Sequence, residues 1–325
     1  MKRSIFLVGL LLMASGLSLG ASTTFSETYP SRPIQLIIPN VPGAIVDINA
    51  RILGEELGRI LGTQMIPMNK PGAATTLGLD IVAKSKKDGY TLAYTGNSGL
   101  VYARILNPET VPYDPDKDLE PLGLHVIVPL AIAVQASSPW KTFNDLIDYA
   151  KKNPGKLRVN TIGIGSTPHF AVEVIQSVTG VQLTHVPFKG GESVITALLG
   201  GHVEITCDAI NKFTPHVQSG KLRVLLLSNK MPEFPNIPTM NELSYKEELP
   251  SIWFGMYGPS GLPEEVNKVL VPAIEKAVKN PELKARIEKM QFVVHYKSPA
   301  DLKKFATEEY ERMLAIAKKV GLRSK

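Results

Sequence analysis

The stretch Ile34–Leu61, IQLIIPNVPGAIVDINARILGEELGRIL, constrains the fold more than any other. It opens with a short apolar run, Ile34–Ile38, bounded by Pro33 and Pro39. That length and β-branched content suit a strand buried on both faces. A loop with Pro42 and Gly43 as turn residues follows. Then Ile48, Ile52, Leu53, Leu57, Ile60 and Leu61 keep the spacing of one apolar helical face. Strand, tight loop and helix in this order place the loop at the carboxyl end of a strand, where open α/β sheets bind ligands. The helix N-terminus points backbone N–H groups at the loop and favours an anion there.

The same unit recurs along the chain. Met65–Met68 and Tyr90–Tyr94 read as further strands, with a helix at Leu77–Lys84 between them and the loop Thr95-Gly96-Asn97-Ser98-Gly99 after the second. A β-α-β-α-β series implies a parallel sheet with right-handed crossovers. Tyr113–Asp118 is irregular and polar, and Leu130–Val134 is a short apolar strand suited to crossing into a second lobe. Thr142 and Asp145 form a capping box for the helix Phe143–Lys152. A second series then runs through strands at Leu157–Thr161, Leu183–Pro187, Val203–Cys207 and Val224–Leu227. Thr167 suits the N-cap and Pro168 the first position of the helix Pro168–Val178. Ile252–Tyr257 reads as the return crossing, and the tail is helical, with Ser298-Pro299 capping Ala300–Lys319.

Met1–Gly20 has the form of a signal peptide. Lys2 and Arg3 make a positive n-region, Ile5–Met13 is apolar, and Ser18-Leu19-Gly20 offers small residues for cleavage before Ala21. An uncleaved anchor is the alternative, but the apolar core is short for a span and a polar segment follows it. The single cysteine, Cys207, excludes an internal disulfide and alternates with Val203 and Ile205, as a buried small hydrophobe does. The net charge of +6 is scattered rather than gathered into a basic stripe with aromatics. It mildly favours acidic ligands and speaks against nucleic acid.

Catalytic templates find little support. Gly163-Ile164-Gly165 follows a strand, but Pro168 holds the third glycine position of a dinucleotide fingerprint and the later acidic residue is missing. The six histidines form no H-E-x-x-H or close pair, so neither metal nor cofactor is expected. His185 reads as a core or edge histidine; His169 stands where it can reach a cleft, and Asp208 lacks a partner carboxylate at readable spacing. What remains is five loops after strands, at Asn40–Val46, Thr95–Ser98, Gly163–Thr167, Phe188–Gly191 and Asp208–Asn211. Rich in glycine, backbone donors and Ser/Thr/Asn oxygens, they suit a small polar molecule, preferably an anion. With a signal peptide and two lobes, this reads as a periplasmic solute receptor that closes by a hinge.

The chain resembles the solute receptors of tripartite tricarboxylate transporters, the Bug family. The resemblance is carried by YPSRPIQLIIP (29–39), PGAIVD (42–47), NKPGAATTLG (69–78), DGYTL (88–92) and YDPDKDLEPLG (113–123). It continues through NPGKLRV (153–159), GIGSTPHFA (163–171), THVPFKGG (184–191), SGKLRVL (219–225) and PNIPTMNEL (235–243). It implies an α/β, two-lobed periplasmic-binding-protein fold of the type II kind, with two crossing strands and a ligand cleft between lobes. One lobe would comprise 28–129 plus 252–325 and the other 130–251. It implies a monomer that delivers a small organic acid to the membrane permease subunits. Family site residues fall on Pro42, Gly43, Ala44 and Asp47, and on Gly165, Ser166, Thr167 and His169. Asn97 and Ser98 match the third-strand loop, Phe188 the usual tyrosine of P-Y-K-G, and Asp208 the acidic residue after its strand. Where the family reads P-G-G-G-x-D, this chain has Ala44, Ile45 and Val46 before Asp47, which makes the mouth more apolar. The expectation is therefore a monocarboxylate or a carboxylate with an apolar or aromatic body. Two other readings stand beside transport: a sensory receptor feeding a signalling partner, and an enzyme on the same fold using Asp208 and His169.

Overall fold

A computed structural model describes residues 28–188 and 191–323, so the expected signal peptide lies outside the described residues, as do Lys189 and Gly190. Among the described residues the strands are, in chain order, β1 Ile34–Ile38, β2 Met65–Asn69, β3 Thr91–Gly96, β4 Leu119–Val128, β5 Leu130–Gln135, β6 Arg158–Thr161, β7 Thr184–Pro187, β8 Ile205–Ala209, β9 Leu222–Leu227, β10 Ile252–Pro259 and β11 Val293–Lys297. The α-helices are α1 Ile45–Leu61, α2 Thr76–Ala83, α3 Ala103–Leu106, α4 Pro115–Asp118, α5 Phe143–Lys152, α6 Thr167–Thr179, α7 Gly191–Leu199, α8 Ile210–Gln218, α9 Glu264–Val278, α10 Pro281–Glu288 and α11 Pro299–Lys319.

The strands form two sheets, of order β11-β4-β10-β3-β1-β2 and β7-β6-β8-β5-β9. Each is the heart of one lobe. β1 is parallel to β2 and β3, as its near-continuous apolar run requires; only Gln35 of its five residues is exposed. β10 lies antiparallel between β3 and β4. The chain leaves the first sheet at the end of β4, turns at Pro129 and enters the second as β5, antiparallel to β8 and β9. It returns through 228–251 to β10. The amphipathic face of α1 buries Ala50, Leu53 and Leu57 in the same cluster as Ile34, Leu36 and Ile38. Each fully buried aliphatic side chain contributes about 1.5–3 kcal/mol, so this one βα unit anchors the first lobe.

Most elements lie where the pattern predicts them, and the capping box at Thr142 and the Ser298 cap are both formed. Several features differ. The strand expected at 203–207 runs Ile205–Ala209, and α8 starts at Ile210, so Asp208 lies within β8 and no loop stands at 208–211. The stretch 113–118, read as irregular, holds the short helix α4. β4 spans ten residues that the pattern did not mark, because Pro121 and Gly123 interrupt its apolar run; pairing with β10 on one side and β11 on the other overrides that local punctuation. The cap of α6 is Ser166, not Thr167, one residue earlier than expected. Ser98–Tyr102 forms a π-helical turn, a wide coil that recurs at functional sites.

Candidate functional site

The β1–α1 loop is built around Asp47. Its carboxylate accepts hydrogen bonds from the Gly43 N–H (2.9 Å), Asn69 Nδ2 (2.9 Å) and Arg51 Nε (3.0 Å). Asn69 also donates to the Asn40 carbonyl, which ties the end of β2 to the same loop. Burial pushes the Asp47 pKa up, but the Arg51, Gly43 and Asn69 bonds outweigh it and hold the group below the usual carboxylate range. Pro42 and Gly43 are exposed and Ala44 half-buried. Gly43 takes φ +80°, which favours glycine, although a Cβ there would meet only open space. Ala44 is the N-cap of α1 and offers no side-chain acceptor. The first-turn N–H groups of this seventeen-residue helix therefore have no side-chain cap at Ala44, and Asp47 is the acid in its first turn.

At the end of β3, Asn97 is buried and Ser98 exposed. The Asn97 amide donates to the Ser251 carbonyl (2.8 Å) and to Glu309 Oε1 on α11 (3.1 Å), and its Oδ1 accepts from Thr167 Oγ1 (3.4 Å). Thr167 stands at the first position of α6, in the other lobe. The ring of Tyr102 stacks on Phe170 of α6 at 4.5 Å beside this contact. So the carboxyl end of β3 in one sheet meets the helix N-terminus after β6 in the other.

In the second lobe, Ser166 Oγ donates to the Gly163 carbonyl (2.7 Å) and accepts from the His169 N–H as the α6 cap. His169 is buried. Its Nδ1 accepts the Gly165 N–H (3.1 Å), which leaves the ring proton on Nε2, 3.5 Å from Glu173 Oε1. His185 stacks on His169 at 4.2 Å and bonds Thr161 Oγ1. Burial first, and the neighbouring His169 second, push the His185 pKa down to about 4. Gly165 has φ +79°, and a Cβ on it would sit 2.2 Å from Leu106 of α3. Phe188 is half-buried, and its N–H donates to the Thr161 carbonyl. Asp208 is buried on β8, just before α8. It accepts from the Ala209 N–H (2.7 Å) and Lys212 Nζ (2.6 Å). Burial raises its pKa, while Lys212 and the Ala209 bond pull the other way.

The structure thus brings Asn97 to Thr167, and gathers Gly165, Ser166 and His169 into one capped turn. The polar groups of Asp47, Asn97, Ser166, Thr167, His169 and Asp208 all have partners within the protein. What the loops present outward is Pro42, Gly43, Ser98 and the apolar Val41 and Ile164, which are 53% and 69% exposed. Among the described residues no three His, Cys, Asp or Glu side chains converge on a metal position. Sequence reasoning missed Glu309. Its signal was an acid in the middle of an apolar stripe, with Leu302, Phe305 and Ala306 before it and Met313, Ile316 and Ala317 after it.

Two α/β lobes joined by paired crossings, with strand-end loops and helix N-termini meeting where they join, are the architecture of a periplasmic solute-binding protein. The comparisons with known proteins agree. Residues 49–322 match the tripartite tricarboxylate transporter family receptor, and the chain belongs to that family. It is 29% identical to Protein BugT of Bordetella pertussis over 327 residues, covering 100% of this chain and 99% of that one. A TctC solute-binding protein from Polaromonas, solved without ligand, superposes with a TM-score of 0.80 at 28% identity, over 90% of this chain and 100% of that one. R. palustris Rpa4515, solved with adipate, gives 0.77 at 27% identity, over 90% and 98%.

Proposed function

We propose that the protein is a periplasmic receptor that captures a small carboxylate with an apolar body and hands it to the membrane permease of a tripartite tricarboxylate-type transporter. The observation that carries this reading is the uncapped N-terminus of α1, opening on a loop whose outward residues are Val41, Pro42 and Gly43. A carboxylate placed there would complete the first-turn N–H groups and meet the positive end of the helix. Ser98 supplies a hydroxyl from the neighbouring strand end, and the second lobe closes over the ligand from the Gly163–Thr167 turn. Asp47, His169 and Asp208 shape the loops, while Pro42, Gly43, Ala44, Ser98 and Phe188 face the ligand. The lobes divide at 129/130 and 251/252, where the chain passes between sheets. Adipate, two carboxylates on an apolar chain and the acid bound by the R. palustris neighbour, is the kind of molecule this mouth fits.

A thermal-shift screen of the chain from Ala21 onward against dicarboxylates, citrate, acidic amino acids and aromatic acids tests the proposal. A true ligand at 100 times its dissociation constant adds about 2.7 kcal/mol, which shifts the midpoint by several degrees at this size. Citrate binding more tightly than adipate and every aromatic acid would refute the apolar-body refinement. A flat screen, with no small acid released from the denatured protein in mass spectrometry, would refute the receptor reading.

A further inference from the structure

We infer that Glu309 on the C-terminal helix is a positioning residue for the ligand loops: it fixes the orientation of the Asn97 amide and so holds Thr167, with the turn before it, in register across the two lobes. The inference deepens the receptor reading above.

Four segments distant in sequence meet at this point. Glu309 is only 4% exposed. Its carboxylate accepts from Tyr102 Oη (2.5 Å), Trp253 Nε1 (2.5 Å) and Asn97 Nδ2 (3.1 Å). Burial raises the pKa of Glu309, while the bonds from Tyr102, Trp253 and Asn97 and the charge of Arg312 pull it back. With three donors directed at it, the ionised form, which only accepts, is the one that satisfies all of them. The second hydrogen of Asn97 Nδ2 goes to the Ser251 carbonyl, at the entry to β10. Both amide hydrogens are therefore directed at oxygens. If the amide flipped, Oδ1 would face the Glu309 carboxylate and the Ser251 carbonyl with no hydrogen between them. So Oδ1 points to the second lobe, where Thr167 Oγ1 donates to it. Thr167 follows Ser166, whose hydroxyl holds the Gly163–Ser166 turn closed. The exposed Ser98 is the next residue after Asn97. A single buried acid thus sets the relative placement of two ligand loops, one in each lobe. It stands on a helix that contributes no residue to either.

The test compares wild type with Glu309→Gln, Thr167→Val and the double variant. Without any ligand, hydrogen exchange is followed on peptides covering residues 163–170 and, as a reference, on β1 and α9. The amide introduced by Glu309→Gln turns a donor toward Tyr102, Trp253 or Asn97. It should therefore speed exchange at 163–170 by about 2- to 10-fold, the loss of one ordinary hydrogen bond. Thr167→Val should do the same, and the double variant little more than either. A general loosening would instead speed β1 and α9 equally and add in the double variant, and would overturn the inference. So would unchanged exchange at 163–170 in Thr167→Val, which removes the hydroxyl that faces Asn97 and Tyr102, leaves Glu309 in place and stands in if Glu309→Gln does not fold. Adipate affinity by calorimetry is the second arm: each single variant should bind about 2- to 10-fold more weakly, without adding in the double. Should wild type fail to bind adipate, the proposed ligand class is at fault and the exchange result alone decides the role of Glu309.

Discussion

Replacing Asp47 tests whether the β1–α1 loop is held from within. In Asp47→Ala the Gly43 N–H and Asn69 Nδ2 lose their acceptor, and Arg51 loses its ion-pair partner. Arg51 is 46% exposed, so solvent screens that pair and it counts for no more than about 1 kcal/mol. Each orphaned donor costs about 1–3 kcal/mol, toward the low end for Gly43, which water can reach. The total is about 2–4 kcal/mol, or a fall in melting temperature of roughly 5–15 °C for a chain of this size. Asp47→Asn retains one acceptor and should cost about half as much. The pH dependence gives an independent check. The folded pKa of Asp47 lies below its unfolded value. Its stabilisation is therefore complete above the ordinary carboxylate range and is lost as pH falls through the folded value. Calorimetry should find the gap between wild type and Asp47→Asn largest at pH 7 and closing at acid pH. A gap that keeps its size down to about pH 3, below the ordinary carboxylate value, or an alanine variant within about 0.5 kcal/mol of wild type, would refute the reasoning.

Other parts of the structure make sharper or simpler demands. His125 on β4 is fully buried against Tyr94 Oη (2.7 Å), and burial pushes its pKa down to about 3. The unfolded chain therefore binds the extra proton between the ordinary histidine value and about 3, and stability should fall with pH there by up to about 1.4 kcal/mol per unit; urea titrations at about pH 7, above that range, and about pH 4, within it, should find the slope reduced in His125→Gln. Gly165→Ala forces a left-handed alanine at a cost of about 1–2 kcal/mol and drives its Cβ into Leu106. Adding Leu106→Ala should relieve the steric part, so the double variant should be more stable than the two single losses summed. Cys207 is buried, and burial, then the neighbouring Asp208, raise its thiol pKa; it should resist a thiol reagent in the native state and react fully in denaturant.

The parts of the fold that were legible in the sequence are those set by local pattern. β1 and α1 announce themselves because a buried strand between prolines and a one-sided apolar helix have periods that few other structures share. The helix ends at Thr142 and Ser298 were legible because a cap acts over three residues. β4 was not, since its stability comes from β10 and β11, which lie more than a hundred residues further along the chain. The site divides the same way. Loop positions follow from strand ends and could be named, whereas the partners of those residues could not. The acceptor of Asn97 stands 212 positions away and its donor 70. The one-residue error at the α6 cap has a local cause: Ser166 and Thr167 are both good caps, and the bond from the His169 N–H, reaching Ser166, decides between them.

Two carboxylates, Asp47 and Asp208, stand near loops proposed to take an anion, and the structure removes the conflict. Each sits in or just before a helix, with a cation four residues on: Arg51 at 3.0 Å from Asp47 and Lys212 at 2.6 Å from Asp208. Each also accepts a nearby backbone N–H, Asp47 from Gly43 in its loop and Asp208 from Ala209 at the end of β8. A carboxylate paired in this way leaves little net charge, so its field on a neighbouring anion falls off much faster than that of a bare ion. The acids can then brace the loops without repelling the ligand. In the proposed receptor the neutral amides of the α1 first turn, which have no capping side chain, are the groups that would meet the carboxylate. Because bonds from Gly43 and Asn69 to Asp47 tie the loop and the end of β2 to α1, a carboxylate bound there would not itself have to order the loop, and more of its interaction energy would appear as affinity.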